Sequence, residues 1–156
     1  MIQNIEKCSE IEIEHQAKYL MDTPVSGIVQ YLKNGELKLS KGKVDSLHLL
    51  GNLKTEFGEI GSIVPSAKKG EIKFVVSELV PALRNNPNVN DGGLLEAIEA
   101  IAEKEKKNEI EFNFTVLMLR GEPIVKDGNK RTVAFYENRK SNLDQKICYP
   151  VYVVHE

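Results

Sequence analysis

The chain has 156 residues, enough for one ordinary domain with a sizeable buried core and no need of disulfide or metal staples. Hydrophobic residues make up 41% and charged residues 28%, with a formal charge of −2, so no global field attracts nucleic acid or anionic membrane, and any polyanion contact must come from a local patch. Two cysteines, Cys8 and Cys148, sit in no CxxC or Cys/His cluster, which excludes a disulfide scaffold and points to a reducing compartment.

The opening residues Met1 to Lys7 carry neither a basic n-region nor an apolar h-region, and apolar runs such as Val116-Leu117-Met118-Leu119 are far below the roughly 20 residues of a membrane helix. A cytoplasmic protein without a membrane partner is expected. Over residues 14–39, Ala17, Leu20, Val25, Ile28, Leu32, Gly35 and Leu37 are spaced as two short helices joined by a tight turn at Thr23-Pro24, followed by a hairpin. A further helix is expected from Val44 to Phe57, with Leu47, Leu50, Leu53 and Phe57 inward. Turn residues Gly58, Gly61, Pro65 and Lys68-Lys69-Gly70 then place a boundary near residue 68. Residues 1–68 thus read as a mainly helical extension and 69–156 as the main domain.

In the second segment, Ile72 to Val76 is β-rich and leaves into a loop through Ser77-Glu78-Leu79-Val80-Pro81 and Asn85-Asn86-Pro87-Asn88. Asp91 is placed to cap a helix with Leu94, Ile98, Ile101 and Ala102 on one face, and Lys104, Lys106 and Lys107 suit its C-terminal dipole. From Glu111 the period becomes two, with Phe112, Phe114, Val116 and Met118 on one face and Gly121 turning the chain into Pro123-Ile124-Val125. A helix with Val133, Ala134, Phe135 and Tyr136 follows, and Tyr149 to Val154 closes the chain as a strand. The fold class expected is α/β (α+β), a small mixed sheet with helices.

Between hairpin and helix stands Asp127-Gly128-Asn129-Lys130-Arg131-Thr132, the segment whose chemistry is most readable. Backbone N–H groups point outward at a helix N-terminus, the macrodipole is positive there, and glycine permits close approach of a ligand, so two adjacent cations make the segment suited to phosphate. A plain turn is the competing reading, with Asp127 as cap and Lys130 and Arg131 as solvated first-turn residues. Asp127 has two candidate roles, capping the helix or holding a magnesium ion that bridges the phosphates of a nucleoside di- or triphosphate.

Asp127-Gly128-Asn129-Lys130-Arg131-Thr132 is shared with the Fic family, but where that family keeps its catalytic histidine and phenylalanine this chain has Pro123 and Val125, and Fic chemistry is rejected. About residues 71–155 the chain instead resembles the ParB/sulfiredoxin superfamily. The matching pieces are Ser77-Glu78-Leu79-Val80-Pro81, the helix from Leu94 to Lys107, the run Pro123 to Arg131, and Pro150 to Val154. The resemblance implies a nucleotide-binding domain in which Gly128 and Arg131 contact phosphate, with Asn129 and Lys130 as the variable pair between them. Asn129 stands where sulfiredoxins keep their cysteine nucleophile, and Leu83 stands near the catalytic glutamate of the related serine kinases. No catalytic base or nucleophile is identified, and the choice among a binding protein, a nucleotidase, a phosphotransferase and a nuclease stays open.

Residues 14–39 are also weakly similar to excisionase-type helix-turn-helix units, which would place Ser26, Gln30 and Lys33 at DNA. A DNA-binding accessory or regulatory protein of partition or nuclease type is therefore an alternative, as is a non-catalytic interaction module; a homodimer is compatible with each. His15, His48 and His155 lack metal-ligand spacing, and Glu96, Glu99 and Glu103 read as a solvated helix face.

Overall fold

The computed structural model describes residues 2–20, 26–56, 73–87, 93–108, 116–120 and 122–156. Among these, seven strands and six α-helices follow one another: β1 (Gln3–Lys7), α1 (Glu10–Leu20), α2 (Val29–Lys33), β2 (Lys38–Ser46), α3 (Leu47–Asn52), β3 (Lys54–Glu56), β4 (Lys73–Val75), α4 (Val76–Asn85), α5 (Leu94–Lys106), β5 (Val116–Arg120), β6 (Glu122–Asp127), α6 (Asn129–Arg139) and β7 (Lys146–His155). None of the described helices is long and apolar enough to cross a membrane. The expected boundary near residue 68, the Thr23-Pro24 turn, the Asp91 cap, Phe112, Phe114 and Gly121 lie outside the described residues.

All seven strands join one mixed sheet in the order β1-β2-β7-β5-β6-β3-β4. β2 runs antiparallel to β7, from Lys38 opposite His155 to Val44 opposite Tyr149, while β7 pairs with β5 in parallel. β5 and β6 form the expected antiparallel hairpin pair, and β3 lies parallel to β6 and antiparallel to β4. The mixed α/β class is therefore observed. The expectation of a mainly helical extension is corrected, because β1, β2 and β3 are built into the same sheet as the strands from the second half.

Side-chain alternation gives this sheet two apolar faces. On one, Val44, Leu47, Leu50 and Leu53 pack with Val76, Leu79 and Leu83 of α4, Ile98 of α5, Val133 to Tyr136 of α6, and Tyr149, Val151 and Val153 of β7. On the other, Val154 and Leu39 meet Cys8, Ala17, Val29, Leu32 and Leu37. Neighbouring residues 153 and 154 thus belong to different cores, as the period of two in an extended strand requires.

Three local expectations are revised. Residues 44–56 do not form one helix: Val44 lies within β2, which runs on to Ser46, the Ser46 hydroxyl accepts from the Leu49 N–H at 3.3 Å to start α3, and the chain is extended again by Lys54, while Phe57 lies outside the described residues. Leu47, Leu50 and Leu53 still face one core and are essentially unexposed. Burying each stabilises by about 1.5–3 kcal/mol, which outweighs the helix that their spacing suggests. After β4 the chain enters α4 and not a loop, with Pro81 inside the helix. Proline removes one backbone hydrogen bond, but the buried stripe of Val76, Leu79, Val80 and Leu83 holds the helix, and exposed Pro81 lies off that stripe. α1 begins earlier than expected through a reciprocal cap, in which the Glu12 N–H donates to Ser9 Oγ and the Ser9 N–H donates to Glu12 Oε1, both at 3.2 Å.

Candidate functional site

β6 ends at Asp127, Gly128 makes the corner and α6 begins at Asn129. Gly128 has φ 84°, in the left-handed region that side chains with a Cβ rarely adopt, so glycine is required for the strand to turn directly into the helix. The first rung of α6 is the Thr132 N–H donating to the Gly128 carbonyl at 2.9 Å. No side chain caps this helix start. The capping role considered for Asp127 is thereby corrected: Gly128 occupies the cap position, and the Asp127 carboxylate instead lies 3.5 Å from the Arg131 guanidinium, one helical turn on. Both side chains are about one-fifth exposed, so this i,i+4 pair sits in the wall of the corner.

Of the remaining segment, Lys130 is exposed and Asn129 is partly buried. Thr132 is not a surface ligand group, because it has no exposed area. Its Oγ1 donates to the Gly128 carbonyl at 2.8 Å and lies 2.8 Å from the Tyr149 hydroxyl. A hydroxyl has one proton, and a carbonyl only accepts; with the Thr132 proton committed to Gly128, Tyr149 is the donor in the second bond. The relay runs from β7 through Thr132 to the corner and fixes the Gly128 carbonyl from beneath. This contact was not legible beforehand, since Tyr149 lies seventeen residues away in sequence.

The rest of α6 is anchored along its length. The Phe135 and Tyr149 rings are 4.7 Å apart and tilted by 56°, and the Arg139 guanidinium lies 3.6 Å above the Phe135 ring. Arg139 also forks onto Glu105 of α5, with Nη2 3.2 Å from Oε2 and Nη1 on Oε1. Asn138 Nδ2 donates to the Ala102 carbonyl at 2.9 Å and to Glu105 Oε1 at 3.2 Å. Burial pushes the Glu105 carboxyl upward, but the hydrogen bonds from Arg139 and Asn138 together outweigh it and hold the group below the ordinary carboxylate value. The helix that presents the corner is therefore held at both ends.

Nothing matching this chain was found among family models, curated proteins or solved structures. The corner has a chemistry of its own. It offers a left-handed glycine, an uncapped helix start with positive dipole, an exposed lysine and an arginine tethered by one acid. Among the described residues, no group of three or more His, Cys, Asp or Glu side chains converges on a metal position. A single carboxylate suits magnesium that arrives with a nucleotide, because this ion keeps several waters and is held by one or two carboxylates together with phosphate oxygens.

The residues considered for DNA lie elsewhere in the fold. Ser26 opens a 3-10 turn (Ser26–Ile28), and Gln30 and Lys33 are exposed on α2. α2 has five residues, about 1.4 turns at 3.6 residues per turn, and Val29 and Leu32 are buried in the smaller core. That length leaves few positions for reading base edges along a major groove.

Proposed function

We propose that the Asp127 to Arg131 corner binds the phosphates of a nucleotide. The observation carrying this reading is the uncapped start of α6 on a left-handed glycine, followed by Lys130 and Arg131 in the first turn. Basic residues in a first turn oppose the helix dipole, and a bound anion removes that conflict while meeting outward N–H groups. In this reading Gly128 and Asn129 contact phosphate oxygens through the backbone, Lys130 supplies a mobile charge, and Arg131 offers directional donors. Asp127 orients Arg131 and carries a magnesium ion when one accompanies the nucleotide. The resemblance of the loop to those of the ParB/sulfiredoxin superfamily supports a nucleotide over free phosphate. Phosphoryl transfer or hydrolysis is the extension of this reading, and electrostatic neutralisation of developing charge is what the two cations contribute to it.

The test is heat denaturation with CTP, ATP, ADP or GTP, with and without magnesium. Ligand at about 100 times its dissociation constant stabilises the folded state by roughly 2.7 kcal/mol, which is readily resolved. Changing Lys130 and Arg131 together to alanine is expected to abolish the shift while leaving the ligand-free fold intact. Absence of a shift with all four nucleotides would sink the proposal.

A further inference from the structure

Away from the corner, a serine and a histidine are held together on the two most firmly embedded strands of the sheet. In the β2/β7 register Ser40 lies opposite Val153, so His155, two residues on, is its diagonal neighbour on the same face. Ser40 is paired on both sides, with Lys7 of β1 and Val153 of β7, and His155 is paired with Lys38 of β2. Ser40 Oγ is 3.0 Å from His155 Nε2, and His155 Nδ1 is 3.1 Å from the main-chain oxygen of Glu156. That oxygen only accepts, so in the neutral ring Nδ1 carries the proton and Nε2 presents its lone pair. Ser40 must then donate its hydroxyl proton to His155. Nucleophile, base and orienting acceptor are thereby aligned in the order used to activate a serine.

We infer that Ser40 and His155 form an activated-serine site that accepts small acyl groups from esters. In the acyl-transfer step the Ser40 Oγ bonds to the carbonyl carbon and the ester C–O bond breaks. The Ser40 proton passes to His155 Nε2 and from there to the departing alkoxide. Water returns the serine by the reverse proton route, releasing the carboxylic acid. Ser40 is 4% exposed while His155 is partly exposed, so approach is past the imidazole and the acyl group must be small.

The experiment is labelling of the intact chain with a short-alkyl fluorophosphonate, followed by peptide mapping by mass spectrometry. Attack forms an Oγ–P bond, breaks the P–F bond and sends fluoride away with its electron pair, the proton again passing to Nε2. Phosphonyl mass is expected on the peptide containing Ser40 and absent from Ser40→Ala. His155→Gln is expected to slow labelling by roughly a hundredfold or more, the usual contribution of a positioned general base. Unmodified Ser40 in the wild-type chain after prolonged exposure overturns the inference on its own. Equal labelling rates in the wild type and a folded His155→Gln variant would also overturn it.

Discussion

Replacing Gly51 by alanine tests how closely α3 is seated beneath α6. In an isolated helix this change is favourable by about 1 kcal/mol, because alanine loses less backbone freedom than glycine. Here a Cβ at position 51 would stand 2.6 Å from Tyr136 Cε2, 3.1 Å from Cζ and 3.3 Å from Cδ2. Tyr136 is 8% exposed and belongs to the larger core, so its ring has little space to retreat. Overpacking of this kind costs about 1–3 kcal/mol, and relief by small ring movements places the cost in the middle of that range. Subtracting the helix gain leaves net destabilisation of about 1 kcal/mol, or roughly 2–4 °C in Tm for a domain of this size. Urea denaturation of the wild type, Gly51→Ala, Tyr136→Leu and the double variant completes the argument. Shortening the side chain removes the clash, so Gly51→Ala should become neutral or stabilising in the Tyr136→Leu background. A Gly51→Ala protein at least as stable as the wild type would refute the close seating of α3 against α6.

Thr132→Val removes the hydroxyl between Gly128 and Tyr149 and leaves a buried phenol without that acceptor, which should cost about 1–3 kcal/mol in chemical denaturation; Thr132→Ser should recover most of the loss. For Glu105 the folded pKa is depressed below the ordinary value of 4.5, so its stabilising contribution is complete above that value and is lost as pH falls through the lower folded pKa. Glu105→Gln should therefore flatten the acid limb of a stability profile measured from neutral pH downward, and an unchanged limb would remove the Arg139 pair from the account. Burial pushes the Cys8 thiol up to about 11 while Cys148 is exposed, so a disulfide reagent at neutral pH should modify Cys148 quickly and Cys8 only on unfolding.

The elements legible in the sequence were those in which period and punctuation agree. α5 and α6 combine helical apolar spacing with clear ends, and β5, β6 and β7 combine alternation with β-rich composition. From Val44 to Leu53 the spacing identified a common core face but misidentified the element, because a strand end, a short helix and a linking residue can deliver side chains to one core at the same intervals. β2 was obscured by Lys38, Lys41 and Lys43, which break the apolar alternation of a strand. The cap joining Ser9 to Glu12 was a signal that could have been read, since serine followed three residues later by glutamate is its usual form. At the corner, strand, glycine and helix were correctly ordered by turn chemistry, whereas the partners of Asp127 and Thr132 were set by helix pitch and by a distant strand. Ser40 and His155 are 115 residues apart, and only the register of β2 against β7 brings them together.

That same register governs the order in which the molecule can be assembled. β2 is made early, yet its long partner is the strand formed by residues 146–155, and the edge strand β1 is attached only through β2. On the ribosome the first third of the protein therefore waits with one side of β2 unmatched until β7 emerges. Closing so large a loop is slow relative to forming local helices, and it leaves an open strand edge exposed until β7 is in place. Lysines along β2 are well suited to that interval, because their charge discourages premature pairing with strands of other chains.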